Sequence, residues 1–209
     1  MSNETDDAKK INQSRRNFLK VVVAGLLAGV SAPLVSHLSS AYAAETGAGE
    51  KNMLIAYYSR TGNTREIANQ IHERVGSEIM ELQTVKSYPE DYEAVKKQAM
   101  QELNSGFKPV LKTKVKEIGS YDVIFVGTPI WWGTIAAPVK SFLSQYDLSG
   151  KTIVPFCTHA GSGQGRSVTD ISKLCPKSTI LEGIAVWGRD AKTAQNEVSE
   201  WLRKIKMTK

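Results

Sequence analysis

The sequence predicts an α/β fold: a doubly wound, five-stranded parallel sheet with helices on both faces. Two observations predict it. After residue 51, apolar runs of strand length alternate five times with amphipathic helical patterns, and such helices are the crossovers that parallel strands require. Two of the runs are almost entirely apolar, as expected for central strands that are covered on both faces.

The elements follow one another in a regular order along the chain. The first and third runs are the most apolar and are predicted to be central, whereas the half-polar second run suits an edge strand. The predicted strands are residues 53–59, 78–83, 121–127, 152–158 and 179–187, and the predicted helices are residues 64–75, 91–103, 137–146, 167–174 and 193–206.

The first 43 residues have the features of an export signal. A charged segment containing Arg15 and Arg16 precedes an uncharged run, and small residues follow as far as Ala43. The uncharged run is shorter than the ~20 residues of a spanning helix, which favours a cleaved signal over a permanent anchor. The Arg-Arg-Asn-Phe-Leu-Lys segment resembles a twin-arginine signal. We therefore expect residues 1–43 to be removed on export, with only transient membrane contact, leaving a linker at 44–51 and one domain at 52–209.

The charge and its distribution argue against a nucleic-acid partner. The whole chain carries a formal charge of +6, of which residues 1–43 contribute +2, so the mature protein is mildly basic. Its lysines are scattered, with few aromatic residues between them, which is typical of a solvated surface.

The cysteines and histidines set limits on the chemistry. Cys157 lies in an apolar run, so a buried thiol is favoured there, although a disulfide with Cys175 is a possible alternative in an oxidising compartment. The mature chain has two histidines, His72 and His159, which are too few for a metal cluster, and no metal is expected.

Three loops at predicted strand ends are unusual in composition. Ligands bind outside the carboxyl ends of the strands in an open parallel sheet, so these loops are candidates for a binding site. The loops are residues 59–64, 128–133 and 158–163.

The first of these loops is suited to an anion. It places three hydroxyls around Gly62 at the start of a helix, where free backbone N–H groups and the helix dipole favour a phosphate. The simpler alternative is that Asn63 or Thr64 caps the helix, which would explain one such residue but not three. Ser59 and Arg65 also have the spacing of the cysteine-dependent phosphatases, but serine lacks thiolate reactivity, so that alternative is weak. A Walker loop is absent, and residues 161–166 miss the dinucleotide pattern.

The S-x-T-G-N-T loop, together with the fivefold alternation, resembles flavodoxin and its FMN-dependent oxidoreductase relatives from about residue 53 to 205. The resemblance implies a strand order of 2-1-3-4-5 and bound FMN. The first loop would hold the phosphate, and the second and third loops would hold the isoalloxazine ring. The first-loop residues are Ser59, Arg60, Thr61, Gly62, Asn63 and Thr64; the ring-binding residues are Thr128, Pro129, Ile130, Trp131, Trp132, Gly133, Thr158, His159, Ala160, Gly161, Ser162 and Gly163.

The residue types agree with a flavin. A flavin ring needs apolar or aromatic contacts on its faces and polar groups along one edge. Trp131 and Trp132 could supply a face, although adjacent tryptophans can also be core or partner-facing residues, and we expect only one of them to touch the ring. His159 is a weak candidate for a catalytic proton relay, because a loop histidine is more often a solvated polar residue.

The function predicted from the sequence is electron transfer by an exported FMN-binding oxidoreductase, with a quinone-like small molecule as one candidate acceptor. One alternative is a flavodoxin-type carrier that passes electrons between redox proteins. Such carriers are generally acidic, whereas this mature chain is net positive. The other alternative is a scaffold that binds no flavin. The sequence identifies neither the electron donor nor the acceptor.

Overall fold

The computed structural model describes residues 51–208, and the predicted signal peptide and most of the linker lie outside them. Within these residues, seven strands form one sheet. The apolar runs form strands because β-branched and aromatic side chains can be buried on both faces of a pleated sheet. The strands are β1 (Met53–Tyr57), β2 (Glu78–Glu81), β3 (Val123–Trp131), β4 (Thr134–Ile135), β5 (Thr152–His159), β6 (Thr179–Ile180) and β7 (Ile184–Trp187).

The sheet has the flavodoxin-like topology. Its order is β2-β1-β3-β5-β6, and β7 continues the fifth position by pairing with β5. The strands in these five positions all pair in parallel. The predicted α/β class and the 2-1-3-4-5 order are therefore confirmed.

Helices cover both faces of this sheet. One core lies under α1 and α5, where Ile67 and Leu202 are fully buried, and the other lies under α3 and α4, where Phe142 and Ile171 are buried. The second helix, α2, contacts α3. The helices are α1 (Asn63–Val75), α2 (Tyr92–Ser105), α3 (Ala137–Gln145), α4 (Ser167–Leu174) and α5 (Gln195–Lys204).

The second predicted loop is largely a strand, which corrects the predicted end of the third strand at residue 127. β3 continues to Trp131, turns through Trp132 and Gly133, and returns as β4. Both turn residues have positive φ, 52° and 75°, as in the two-residue turns that suit the twist of a β-hairpin. The hairpin extends the carboxyl end of β3 beyond the parallel sheet.

The fifth strand is interrupted, although the sequence predicted it as continuous. Pro155 of β5 has no N–H to donate. Leu181 donates to the carbonyl of Ile153, two residues earlier, so the backbone groups of Ile153 and Pro155 face the fifth position of the sheet. The proline therefore leaves that position without a hydrogen-bond donor. The chain breaks opposite the proline, at Gly183, where an added Cβ would lie 2.9 Å from the Pro155 carbonyl oxygen. The pairing register with β5 shifts by one residue across the break.

Both cysteines are free and buried, so the disulfide alternative is not realised. Burial raises the pKa of the Cys157 thiol to about 12 and that of the Cys175 thiol to about 11. These thiols are therefore neutral core groups at physiological pH. Separately, within residues 51–208 no helix is long and apolar enough to cross a bilayer.

Candidate functional site

The first loop ends in a helix start that no side chain caps. Gly62 is the N-cap residue, with φ at 90°, and its carbonyl accepts the first helical hydrogen bond, from Glu66. Neither Asn63 nor Thr64 is the cap, so simple capping does not explain the loop. The first backbone N–H groups of α1 are left to interact with a ligand or water.

A buried hydroxyl without a partner lies beside this helix start. Ser59 is 9% exposed, and its Oγ has no hydrogen-bond partner. A buried hydroxyl without a partner is costly, which indicates a group that a ligand can satisfy. The other buried hydroxyl of the loop is already paired, because Thr64 Oγ1 lies 2.8 Å from Thr158 Oγ1 and so links α1 to β5.

Arg65 lies near this turn, since a Cβ added at Gly62 would be 4.0 Å from its Nη1, but it is paired with a carboxylate. Its guanidinium donates two hydrogen bonds to Glu81 on β2, at 3.0 and 2.7 Å. These bonds raise the pKa of Arg65, while burial and the nearby Glu81 carboxylate raise the pKa of Tyr57. Because Glu81 offsets the charge of Arg65, the phosphatase-like spacing of Ser59 and Arg65 supplies no free cation for an anion.

A cleft of about 330 Å³ runs along the carboxyl ends of the strands. Two arginines line it, and it has no acidic side chain among its lining residues in the described part of the chain. Arg189 lies 3.5 Å from the Asp190 carboxylate, which offsets part of its charge, whereas Arg60 has no carboxylate partner within the described residues. The net positive charge of the lining suits an anionic ligand. Nine of the eighteen predicted site residues line this cleft: Arg60, Thr61, Asn63, Pro129, Ile130, Trp131, Thr158, His159 and Ala160.

The two adjacent tryptophans of the second segment have different environments. Trp131 lines the cleft and makes edge contacts with Tyr58 and Tyr88, with ring centroids 5.6 and 5.1 Å apart. Trp132 is 45% exposed and lies outside the cleft lining. The hydroxyl of Thr128 is committed to the backbone, since it donates to Pro129 and accepts from Ala136.

The third loop contributes its first residues to the cleft and folds the rest against the hairpin. Nδ1 of His159 accepts a hydrogen bond from the Gly161 N–H, so a neutral ring carries its proton on Nε2. Farther on, the Arg166 N–H donates to the Gly133 carbonyl, and an added Cβ at Gly165 would lie 2.3 Å from that oxygen. Of the remaining predicted residues, Gly161, Ser162, Gly163 and Gly133 shape these loops without lining the cleft.

Four cleft residues were not predicted from the sequence. Trp187 ends the fifth strand, and its ring centroid lies 5.1 Å from that of His159. The Arg189 guanidinium stacks on the same indole, 4.2 Å from the ring centroid. Gly188 lies against Asn63, since an added Cβ would be 2.6 Å from its Nδ2. The fourth, Tyr92, comes from the start of α2. The signal available in the sequence was a tryptophan, Trp187, at the carboxyl end of the predicted fifth strand.

Metal binding has no support in the described part of the chain. Residues 51–208 contain no cluster of three or more histidine, cysteine, aspartate or glutamate side chains suited to a metal ion.

The fold and the site define a class. A parallel sheet of order 2-1-3-4-5, with an uncapped helix after its first strand and an aromatic cleft at the strand ends, is the flavodoxin-like architecture. Within that class, the chain belongs to the flavodoxin family, whose model matches residues 52–205.

Solved structures agree with this membership. A candidate flavoprotein from Bacteroides eggerthii is 31% identical, with a TM-score of 0.67; the match covers 75% of this chain and 98% of that one. A candidate flavoprotein from Bacteroides uniformis is 27% identical, with a TM-score of 0.66; the match covers 73% of this chain and 98% of that one. A flavoprotein from Lactobacillus acidophilus, crystallised in complex with FMN, is 25% identical, with a TM-score of 0.59 and coverage of 68% and 97%.

Proposed function

We propose that the protein binds FMN in the cleft and acts as an exported FMN-dependent oxidoreductase that transfers electrons. The observation that carries the proposal is the unpartnered, buried hydroxyl of Ser59 beside an uncapped helix start. Both features fit a phosphate, which would accept from the hydroxyl and from the free N–H groups. The Lactobacillus acidophilus relative, which was crystallised with FMN, supports the choice of this ligand.

The residues divide by the part of FMN that they would hold. Thr61 and Asn63, which line the cleft, would bind the phosphate together with the first N–H groups of α1 and the hydroxyl of Ser59, which lies outside the cleft lining. The Arg60 side chain lies at the boundary between the cleft and a second cavity. Residues 59–64 together would form the phosphate site. The ring site would be formed by the parts of residues 128–133 and 158–163 that line the cleft: Pro129, Ile130, Trp131, Thr158, His159 and Ala160. Gly62 provides the positive φ of the turn, and Thr64 positions the helix through Thr158 rather than offering its own hydroxyl.

The ring would lie among apolar and aromatic side chains. Trp131, Ile130 and Trp187 border the cleft and can exclude water from a flat ring. His159 presents a donor at Nε2 when neutral, because its Nδ1 is already an acceptor. Bound FMN would supply the electron-transfer chemistry, and the chain would bind it, orient it and exclude water from it.

The first experiment is a visible absorption spectrum of the purified mature protein, followed by titration of the FMN-free protein with FMN. We expect a flavin spectrum and one equivalent of FMN. Ser59→Ala should weaken FMN binding by about 1–3 kcal/mol, the scale of a hydrogen bond to a charged group. A colourless protein that does not take up added FMN would contradict the proposal.

Ser77→Ala is the matched control. Ser77 is also 9% exposed, and its Oγ also has no partner, but it follows α1 at the opposite end of the sheet. Both alanine variants should leave the FMN-free protein as stable as the wild type or slightly more so, because each removes an unsatisfied buried group. FMN affinity should fall only in Ser59→Ala; an equal fall in both variants would point to a general effect on the fold.

Turnover separates an enzyme from a carrier. We favour an enzyme because the mature chain is net positive, and because the cleft adjoins a second cavity that could admit a small molecule. Steady-state reduction of quinones by the FMN-loaded protein, with a chemical electron donor, would support the enzyme. Fast exchange with a redox protein and no turnover of any small acceptor would support the carrier.

Export by the twin-arginine route is the remaining part of the proposal. The support is the Arg15-Arg16 pair within the predicted signal, which lies outside the described residues. That route suits a protein that folds around a noncovalent cofactor before leaving the cytoplasm. Replacing both arginines with lysine should abolish export and leave the full-length protein inside the cell, whereas unchanged export would contradict this route.

A further inference from the structure

A second cavity, of about 240 Å³, adjoins the cleft. Half of its lining residues also line the cleft, so a molecule in one cavity would lie beside a molecule in the other. The remaining half come from α2 and the turn between β3 and β4. The shared residues are Arg60, Tyr92, Ile130 and Trp131, and the others are Val95, Lys96, Ala99 and Trp132.

The walls of this cavity are apolar and aromatic. Val95 and Ala99 lie one turn apart on α2 and are both buried, and Trp131 is held in place by its contacts with Tyr58 and Tyr88. A cavity walled by indole and phenol rings suits a flat aromatic ligand, which can contact their faces and edges.

Trp132 has a backbone conformation that L-residues rarely adopt. Its φ is 52°, and its indole Nε1 donates a 3.0 Å hydrogen bond to the Lys96 carbonyl oxygen. Large residues avoid this backbone region, which is the reason asparagine and glycine dominate such turns. The bond from the strained turn to α2 holds the indole ring at the mouth of the cavity.

The charges at the cavity favour an anion. Glu93 lies 2.9 Å from Lys96 and offsets much of its charge. The Arg60 guanidinium donates to the Glu90 carbonyl oxygen and has no carboxylate partner within the described residues. Arg60 therefore leaves a positive charge at the boundary between the two cavities, where an acidic group of a ligand would be stabilised.

We propose that this cavity binds a flat aromatic electron acceptor that carries an acidic substituent. Trp132 and Tyr92 would contact its ring, and Arg60 would pair with its acidic group. Binding depends only on these side chains, but the role as an acceptor rests on the proposed binding of FMN. In that role a quinone would gain two electrons and two protons and leave as a hydroquinone, and reduced FMN in the adjoining cleft would lose the same electrons and protons.

The test is calorimetric titration of the mature protein, with and without FMN, using anthraquinone-2-sulfonate and the uncharged 2-(hydroxymethyl)anthraquinone. We expect the sulfonate to bind both forms, and at least tenfold more tightly than the uncharged probe. Arg60→Gln should remove that preference, and Trp132→Asn should weaken both probes at least tenfold. Circular dichroism would establish that each variant is folded.

Trp187→Asn is the matched control, because Trp187 is an exposed tryptophan that lines only the cleft. It should weaken FMN binding and leave sulfonate binding unchanged. Sulfonate binding that is insensitive to Trp132→Asn, or that FMN abolishes, would overturn the acceptor cavity. Failure to bind FMN, with sulfonate still bound through Trp132, would overturn the proposed function and leave the cavity as a binding site.

Discussion

Trp132 combines a costly backbone conformation with an exposed aromatic side chain. A positive φ costs an L-residue with a large side chain roughly 1–2 kcal/mol, and asparagine tolerates it better. We therefore expect Trp132→Asn to be more stable than Trp132→Leu by about 1 kcal/mol, although both lose the indole. Urea denaturation of the two variants would measure the difference.

Comparing Trp132→Asn with Trp132→Leu separates the backbone strain from two other effects of replacing the tryptophan. Both replacements lose the hydrogen bond to the Lys96 carbonyl oxygen and much of the buried ring area, so those losses cancel. Equal stability of the two variants would show that the turn carries no strain at this position.

At the same scale, the sequence identified part of the site. The hydroxyls and glycine of residues 59–64 form a local motif, so their placement at a helix start could be predicted from adjacent residues alone. Tyr92 and Trp187 reach the cleft only through the tertiary arrangement. Tyr92 depends on how α2 is set against the first loop, where Arg60 bonds to the Glu90 carbonyl, and Trp187 depends on where the interrupted fifth strand ends.

The hydrogen bond between Thr64 and Thr158 joins two elements of the site. Both hydroxyls are buried, and the described residues offer no other hydrogen bond to either of them. Replacing either threonine with valine leaves the other hydroxyl unsatisfied, so each single variant should lose about 1–3 kcal/mol of unfolding free energy. The double variant removes both polar groups and should be more stable than the sum of the single losses predicts.

The same urea denaturation experiment, run as a double-mutant cycle, measures this coupling. We expect a coupling of about 1 kcal/mol or more, and Thr61→Val, at an exposed position of the same loop, should change stability little. Strictly additive losses for Thr64 and Thr158 would mean that the bond does not link α1 to β5.

At the level of elements, the errors of prediction have local causes. The sequence predicted a loop at residues 128–133, yet β3 continues to Trp131. Thr128 and Pro129 still pair with the parallel strand β5, and Ile130 and Trp131 pair with the antiparallel strand β4. The break at Gly183 depends on Pro155, which lies in a different strand. Gly183 within the run was a local sign of a break. Its cause, Pro155, becomes its neighbour only through the pairing of β5 with the fifth position of the sheet.

Across the whole molecule, the alternation of strands and helices was sufficient to predict the class of fold. The strand order came from the resemblance of the first loop, together with the fivefold alternation, to a known family, since periodicity alone does not specify which strands are neighbours. Helices α1 and α5 cover one face of the sheet, and α3 and α4 cover the other. Because both faces are buried, the central strands are apolar throughout.

Two buried thiols, Cys157 and Cys175, link stability to pH. In the folded protein the pKa of Cys157 is about 12 and that of Cys175 about 11, against an ordinary thiol value of 9.0. Between pH 9 and 11 the unfolded chain therefore loses protons that the folded chain keeps. Because the unfolded state then binds fewer protons, the free energy of unfolding must fall as the pH rises.

Each such thiol lowers the free energy of unfolding by at most about 1.4 kcal/mol per pH unit in this window. Cys157→Val fills a similar volume without titrating. Between pH 9.5 and 10.5, the free energy of unfolding of the wild type should therefore fall by about that amount per pH unit relative to that of the variant. Urea denaturation in the presence of reductant measures it, and the tyrosines cancel because they are common to both proteins. Cys175→Val should behave alike up to pH 11. Parallel pH profiles for wild type and Cys157→Val would mean that the thiol ionises equally in both states, and that burial in the core does not keep it neutral.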